Sequence, residues 1–336
     1  LTDYLCYILY FPKLAMGPLM EPADFMEQLH DPARKRFSFD HAAQGLRMFS
    51  FGLFKKMLLA DVFAGAVSWV FANEASSMDW LLGMLCYTLE IYFDFSGYSD
   101  MAVGISHMLN ITLPMNFDSP YQSLNIRDFW KRWHRSLTGF FTKYLYIPLG
   151  GSRKGLARTC INTLLGVLVS GLWHGTGRTF LLWGLLNGLL MIFDRLTERW
   201  QKTLFAPFRW LLTFGIINVL WLLFRADSVH QWLSALFTLF SMQSTQISQG
   251  LLACFELKEL NLLASKLPLG FLFSNVRGVF LNLYLLLGLA LCLGCRNNYR
   301  RMDKKLTFTD LVLTIIAFTW SLICLGGETT FVYAWF

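Results

Sequence analysis

Two of the six histidines combine a residue type and a setting that could do chemistry. His174 closes the run Leu168-Val169-Ser170-Gly171-Leu172-Trp173-His174-Gly175-Thr176-Gly177. An apolar stretch ends there on an imidazole, with small residues either side that leave room for a substrate. Ionisable groups at membrane depth are costly and mark functional sites. An imidazole with an unperturbed pKa near about 6.5 also moves protons at neutral pH. The competing reading is a core histidine bonded to a carbonyl. His134 lies in Phe129-Trp130-Lys131-Arg132-Trp133-His134-Arg135-Ser136-Leu137. The cations around it disfavour an imidazolium and favour the neutral ring. That cluster could hold an anionic group such as a phosphate, or form a snorkelling basic collar at an interface. The residues alone leave both open.

The other histidines need no special role. His30, His41 and His230 sit in charged or loop-like sequence, and His107 lies on the polar side of an apolar helix end. Several chemistries are excluded by pattern. The chain has no G-x-S-x-G elbow, no H-E-x-x-H and no G-x-x-x-x-G-K-[ST]. Gly139 stands where an H-x-x-x-x-D motif starting at His134 would need its Asp. Of the seven cysteines only Cys292 and Cys295 form a C-x-x-C, with no second pair, so no metal site is expected. They read instead as small buried hydrophobes.

The elements that must position these histidines are membrane helices. Of 336 residues, 55% are hydrophobic and only 15% charged, against about 25% charged in a soluble domain. Aromatics reach 16%, with 31 Phe and 12 Trp, which suits lipid-facing and interfacial surfaces. The net charge of +7 is carried by short clusters between apolar runs: Arg34 to Arg36, Arg153-Lys154, Arg195 to Arg209 and Arg296 to Lys305. Such clusters suit cytoplasmic loops facing anionic membrane lipid, and no basic stripe on a soluble module suggests nucleic acid. No signal peptide is present, and a first residue Leu1 inside an apolar run reads as a chain lacking its true N-terminus.

A span needs roughly 20 mostly apolar residues. Candidates are about 46–72, 79–109, 158–174, 179–194, 206–224, 276–295 and 307–325, with 232–256 as one more short or interfacial helix. Residues 21–44 read as a loop with an amphipathic piece. The first two spans carry Lys55, Lys56, Asp61, Glu90, Asp94 and Asp100, and the preferred reading of Lys55, Lys56 and Asp61 is mutual pairing that holds helices together. Residues 116–151 are too basic to span and too aromatic for a solvated loop. They read as short interfacial or re-entrant helices lining a cavity.

In order along the chain, several stretches resemble the membrane-bound O-acyltransferase family. They are Phe93-Asp94-Phe95-Ser96-Gly97-Tyr98-Ser99-Asp100-Met101-Ala102, Asn116-Phe117 with Pro120-Tyr121, Phe129 to His134, Tyr144-Leu145-Tyr146-Ile147-Pro148-Leu149-Gly150-Gly151, Ser170 to Gly175, and Trp183-Gly184. The resemblance runs from about residue 8 to 228, and it is strongest to the branch of alginate O-acetylation and teichoic-acid D-alanyl transfer proteins. It implies an all-α, polytopic transmembrane protein, a single integral membrane domain over residues 1–336, with short helices around a membrane tunnel. It also implies His174 as catalytic histidine and His134 as its companion. His174 would be general base on the attacking hydroxyl, and His134 would orient the acyl donor or polarise its carbonyl. Substrate or tunnel-lining candidates are Trp173, Ser170, Asn125, Trp130, Arg132, Asp94 and Asp100, the last two at most as supporting residues that hold the core together. Asn187 and Lys143 depart from the family pattern, where a histidine and an aspartate are common.

The expected function is transfer of a short acyl group, acetyl first, from a cytoplasmic donor to hydroxyls of an exported polysaccharide or envelope glycan. The donor would be acetyl-CoA or another acyl thioester, with no bound cofactor. The partner would be an extracytoplasmic acyltransferase, and the place the inner (plasma) membrane. Alternatives are D-alanyl transfer to teichoic acid, a scaffold that recruits a soluble transferase, and a transporter. The transporter lacks the internal repeats it should show.

Overall fold

A computed structural model describes residues 1–256, 277–295, 297–302 and 304–326. Arg296 of the last basic cluster, and residue 276 at the start of one expected span, lie outside the described residues. Every regular element among the described residues is helical.

The central element is a 32-residue helix, Ser77–Met108 (α6), about 48 Å long at 1.5 Å per residue. It starts where a capping box forms: the Ser76 hydroxyl accepts from the Asp79 amide, and the Asp79 carboxylate accepts from the Ser76 amide. Five shorter pieces precede it: Thr2–Ile8 (α1), Phe11–Leu14 (α2), Pro22–His30 (α3), Phe39–Phe54 (α4) and Asp61–Ala72 (α5). The stretch expected as a loop at 21–44 is therefore mostly helical, with Pro22 at the first turn of α3 and Ser38 capping α4. A π turn over Lys55–Ala60 joins α4 to α5 without a break.

Close approach of α4 to α6 depends on four glycines. A Cβ on Gly45 would lie 2.5 Å from the Gly104 carbonyl oxygen, and one on Gly52 would lie 2.6 Å from that of Gly97. The two backbones meet with no side chain between them, as small residues allow in membranes. The π turn then aims its lysines at α6. Lys55 Nζ lies 2.7 Å from Asp100, and Lys56 Nζ lies 2.8 Å from both Asp94 and Asp61. The pairing read from the sequence is present, extended across to α6.

Among the described residues three helices are long and apolar enough to cross a membrane: Gly155–His174 (α9), Arg178–Leu196 (α10) and Ala206–Arg225 (α12). α9 and α10 form a hairpin whose contact is again glycine, with a Cβ on Gly171 placed 2.6 Å from the Phe180 carbonyl oxygen. The outer stripe of α9, Ile161, Leu165, Val169 and Leu172, is exposed as on a lipid-facing helix. Between α6 and α9 come two short helices, Ile126–Arg132 (α7) and Arg135–Phe141 (α8), then a π turn to Tyr146, as expected of re-entrant pieces. Glu198–Gln201 (α11) follows α10. The region 232–256 resolves into two helices, Val229–Ser241 (α13) and Gln249–Ala253 (α14), because Met242 takes a left-handed conformation that ends the first. Arg277–Gly294 (α15) and Phe308–Ile323 (α16) complete the described chain. Cys292 is buried, but Cys295 is exposed, contrary to the reading of both as core residues.

Candidate active site

His134 sits at a reversal of the chain. Asn125 caps α7 by accepting from the Asp128 amide at 2.8 Å, and the helix runs out at Trp133. His134 then turns left-handed, with φ of 43°, and starts α8. That conformation costs a residue with a Cβ about 1–3 kcal/mol and persists only where the surroundings impose it. Here Asn116 imposes it. Its backbone carbonyl accepts from the Arg135 amide at 2.9 Å, and its side-chain oxygen accepts from the Ser136 hydroxyl at 2.7 Å.

The same Asn116 oxygen fixes the imidazole. It lies 3.2 Å from His134 Nδ1 and also receives the Ser136 amide at 3.4 Å. A backbone amide can only donate, so the Asn116 atom is the carbonyl oxygen and Nδ1 of His134 must carry the hydrogen. Nε2 is left with its lone pair. Phe95 of α6 packs edge-on at 4.7 Å between ring centres. His134 lies outside the spans, and burial holds its pKa far below the ordinary value, to about 3, with His174 adding a smaller push in the same direction. The ring is neutral, as expected, but burial is the chief cause, not the neighbouring cations. Arg132 is paired with Asp128 at 3.1 Å, and Arg135 lies 3.9 Å from Asp118.

His174 ends α9 and is held by aromatic rings: Trp173 at 4.8 Å, Phe224 of α12 at 5.1 Å and Trp183 of α10 at 5.7 Å, all steeply inclined. Both histidines reach a chamber of about 40 Å³ walled by Trp130, Trp133, Trp183 and Trp221. Larger cavities adjoin it on two sides. One of about 400 Å³ shares Trp130, Thr138, Phe141, Ser170 and Trp183 with it, and its wall carries Arg127, Lys131 and Arg195. The other, about 230 Å³, shares both histidines and continues past Trp173 to Lys13 and Gly17.

The structure therefore gathers His134, His174, Trp130, Ser170 and Trp173 around these three cavities. Four other candidates stand apart from them. Asn125 serves as a helix cap, Arg132 is held by Asp128, Asp94 is engaged by Lys56 and Asp100 by Lys55. Their side chains are occupied in holding helices, so none forms a wall of the histidine chamber. Of the two departures from the family pattern, Asn187 accepts from the Trp130 indole at 3.0 Å and donates to the Trp183 carbonyl at 2.8 Å. Lys143 pairs with Glu21 on the surface.

Sequence reading missed Asn116, Trp133, Trp183 and Trp221 as site residues. Asn116 and Trp183 lay in recognisable stretches, but nothing in an apolar run marks Trp221. The nitrogens of Trp183 and Trp221 are both buried, and neither has a hydrogen-bond acceptor among the described residues.

Residues 1–229 match the model of MBOAT, the membrane-bound O-acyltransferase family. The chain is 41% identical over 241 residues to the peptidoglycan O-acetyltransferase of Helicobacter pylori, covering 70% of this chain and 46% of that protein. It is 37% identical over 254 residues to the probable alginate O-acetylase AlgI of Pseudomonas putida, covering 74% of this chain and 51% of that protein. To the teichoic acid D-alanyltransferase of Bacillus subtilis it is 28% identical over 218 residues, 62% of this chain and 54% of that protein. The chain spans about half the length of these curated relatives. It belongs to the membrane-bound O-acyltransferase family, and it is a membrane protein.

Proposed function

We propose that this chain carries the catalytic core of a multi-pass inner-membrane O-acyltransferase that moves acetyl from a cytoplasmic thioester to a hydroxyl of an exported or envelope glycan. The observation that carries the reading is the pair of buried histidines in one small chamber, with a cavity on either side. The basic wall of the larger cavity, Arg127, Lys131 and Arg195, suits the phosphates of a donor such as acetyl-CoA, and supports reading that side as the cytoplasmic one. The peptidoglycan and alginate relatives favour a glycan acceptor and an acetyl group over D-alanine, being the more similar ones. A partner acyltransferase outside the membrane would pass the group on where this core does not meet the final polymer.

His174 acts as general base. It takes the proton of the attacking hydroxyl as the new C–O bond forms and the carbonyl π pair moves to oxygen. Collapse restores the carbonyl and breaks the C–S bond, and the leaving thiolate takes the proton back from the imidazolium, so no proton is gained or lost. His134 has its one N–H committed to Asn116, so it does not polarise the carbonyl. Its Nε2 lone pair instead accepts an O–H or N–H of a substrate and orients it.

The test compares O-acetyl ester on envelope polysaccharide, by NMR, in cells carrying full-length wild type or His174→Ala at matched membrane levels. General acid–base catalysis is worth about 100- to 10,000-fold, so ester should fall to background. Ester that persists in His174→Ala cells leaves a scaffold for a separate transferase as the better account.

A further inference from the structure

We propose that the indole N–H groups of Trp183 and Trp221 are the oxyanion donors of the acyl-transfer site. The inference rests on the acyltransferase reading above and names residues that reading leaves out.

Acyl transfer places a full negative charge on the carbonyl oxygen of the tetrahedral intermediate, and fixed donors in a dry site stabilise it. The chamber has to supply them, and two nearby candidates are already engaged. His134 gives its N–H to Asn116, and Trp130 gives its indole N–H to Asn187. Trp183 and Trp221 carry two further indole N–H groups on the same wall. Each forms part of the chamber wall, and each is about 2% exposed. Each has a buried indole nitrogen that meets no acceptor among the described residues.

A buried Trp N–H almost always finds a partner. Two such orphans side by side, their rings stacked 6.1 Å apart at an interplanar angle of 20°, are a costly arrangement. An acyl oxygen in the chamber supplies the missing acceptor. The carbonyl's π pair moves onto that oxygen as the hydroxyl adds, and returns as the thiolate leaves. The hydrogen bonds therefore strengthen in the transition state and relax afterwards. Trp183 also sits 5.7 Å from His174, so base and donor flank the same space.

The experiment replaces each tryptophan by phenylalanine in the full-length protein and measures turnover of a synthetic acetyl thioester in detergent. Loss of one oxyanion donor should lower kcat by about 100- to 1,000-fold with KM little changed. A second readout uses a 13C-carbonyl acetyl thioester bound to His174→Ala protein, which holds the donor without turning it over. Its carbonyl stretch should lie below the free value, and should return toward it when Trp183→Phe or Trp221→Phe is added. Where a phenylalanine variant fails to assemble, benzothienylalanine at the same position keeps the ring and replaces N–H by sulfur. Wild-type turnover in both variants, or a carbonyl stretch that ignores them, overturns the proposal. Acetyl transfer that survives in His174→Ala would instead overturn the reading of the whole site, so the two failures are distinct.

Discussion

The two histidines are held by contrasting means. His134 hangs on a polar framework: Asn116 fixes its backbone, its tautomer and the next residue, and Asn116 in turn donates to Ser99 of α6 at 3.3 Å. His174 sits at the end of a lipid-facing helix and is boxed by rings of α10 and α12. The α6 side is also the more heavily braced, with glycine contacts to α4 and three short ion pairs. Hydrogen bonds set direction sharply, whereas ring contacts set position and tolerate rotation. A hydrogen-bonded imidazole on one side and a ring-packed imidazole on the other fit the separate roles proposed for His134 and His174.

The largest test of this contrast falls on Asn116. Asn116→Ala removes the acceptor for His134 Nδ1, and misplacement of an orienting group costs about 100-fold. A drop of about 10- to 100-fold in kcat is expected, with KM moving less. Asn116→Asp keeps an acceptor, so it should recover part of the rate. Its charge also stabilises a His134 imidazolium, and the acid limb of the rate profile should move to higher pH. Turnover in the alanine variant equal to wild type would show that the polar framework is only structural.

A smaller effect separates the two helix contacts. A Cβ on Gly97 would stand 2.8 Å from the Gly52 carbonyl oxygen within the braced core. Gly97→Val should therefore lower stability in detergent by about 1–3 kcal/mol, the usual range for overpacking. Gly171→Val pushes on the Phe180 carbonyl oxygen instead, where α10 can yield toward lipid. It should leave thermal stability nearly intact while lowering turnover, because Trp183 moves with α10. Equal stability losses in the two variants would erase the distinction between core and hairpin.

Much of this organisation was legible in sequence, and the physical reasons divide cleanly. His174 could be read because an ionisable residue at the end of an apolar run is rare. The charges of the first two spans could be read as paired because isolated charges at that depth are costly. Cost alone does not say whether a charge faces a cavity or a lysine, and Asp94 and Asp100, read both as tunnel candidates and as supports of the core, pair with Lys56 and Lys55. The four glycines between α4 and α6 carry no signal until both helices are in register. The tryptophan walls were hidden by composition: with 12 Trp in the chain, no single one stands out.

The last expected effect concerns pH, and it isolates the polar half of the site. Burial lowers the pKa of His134 to about 3, while the unfolded chain keeps the ordinary value near 6.5. Between those values the unfolded state binds a proton that the folded state refuses. Stability is thus fully present above about pH 6.5 and is lost as pH falls toward about 3. His134→Asn is the informative variant, because asparagine tolerates a left-handed backbone and keeps an amide N–H for the Asn116 oxygen. Thermal unfolding of the purified protein between pH 7.5 and 4 should show a shallower acid slope in His134→Asn than in wild type. An unchanged slope in His134→Asn would mean that acid acts elsewhere, and that the hydrogen-bonded histidine is more open to water than its packing against Phe95 and Asn116 implies.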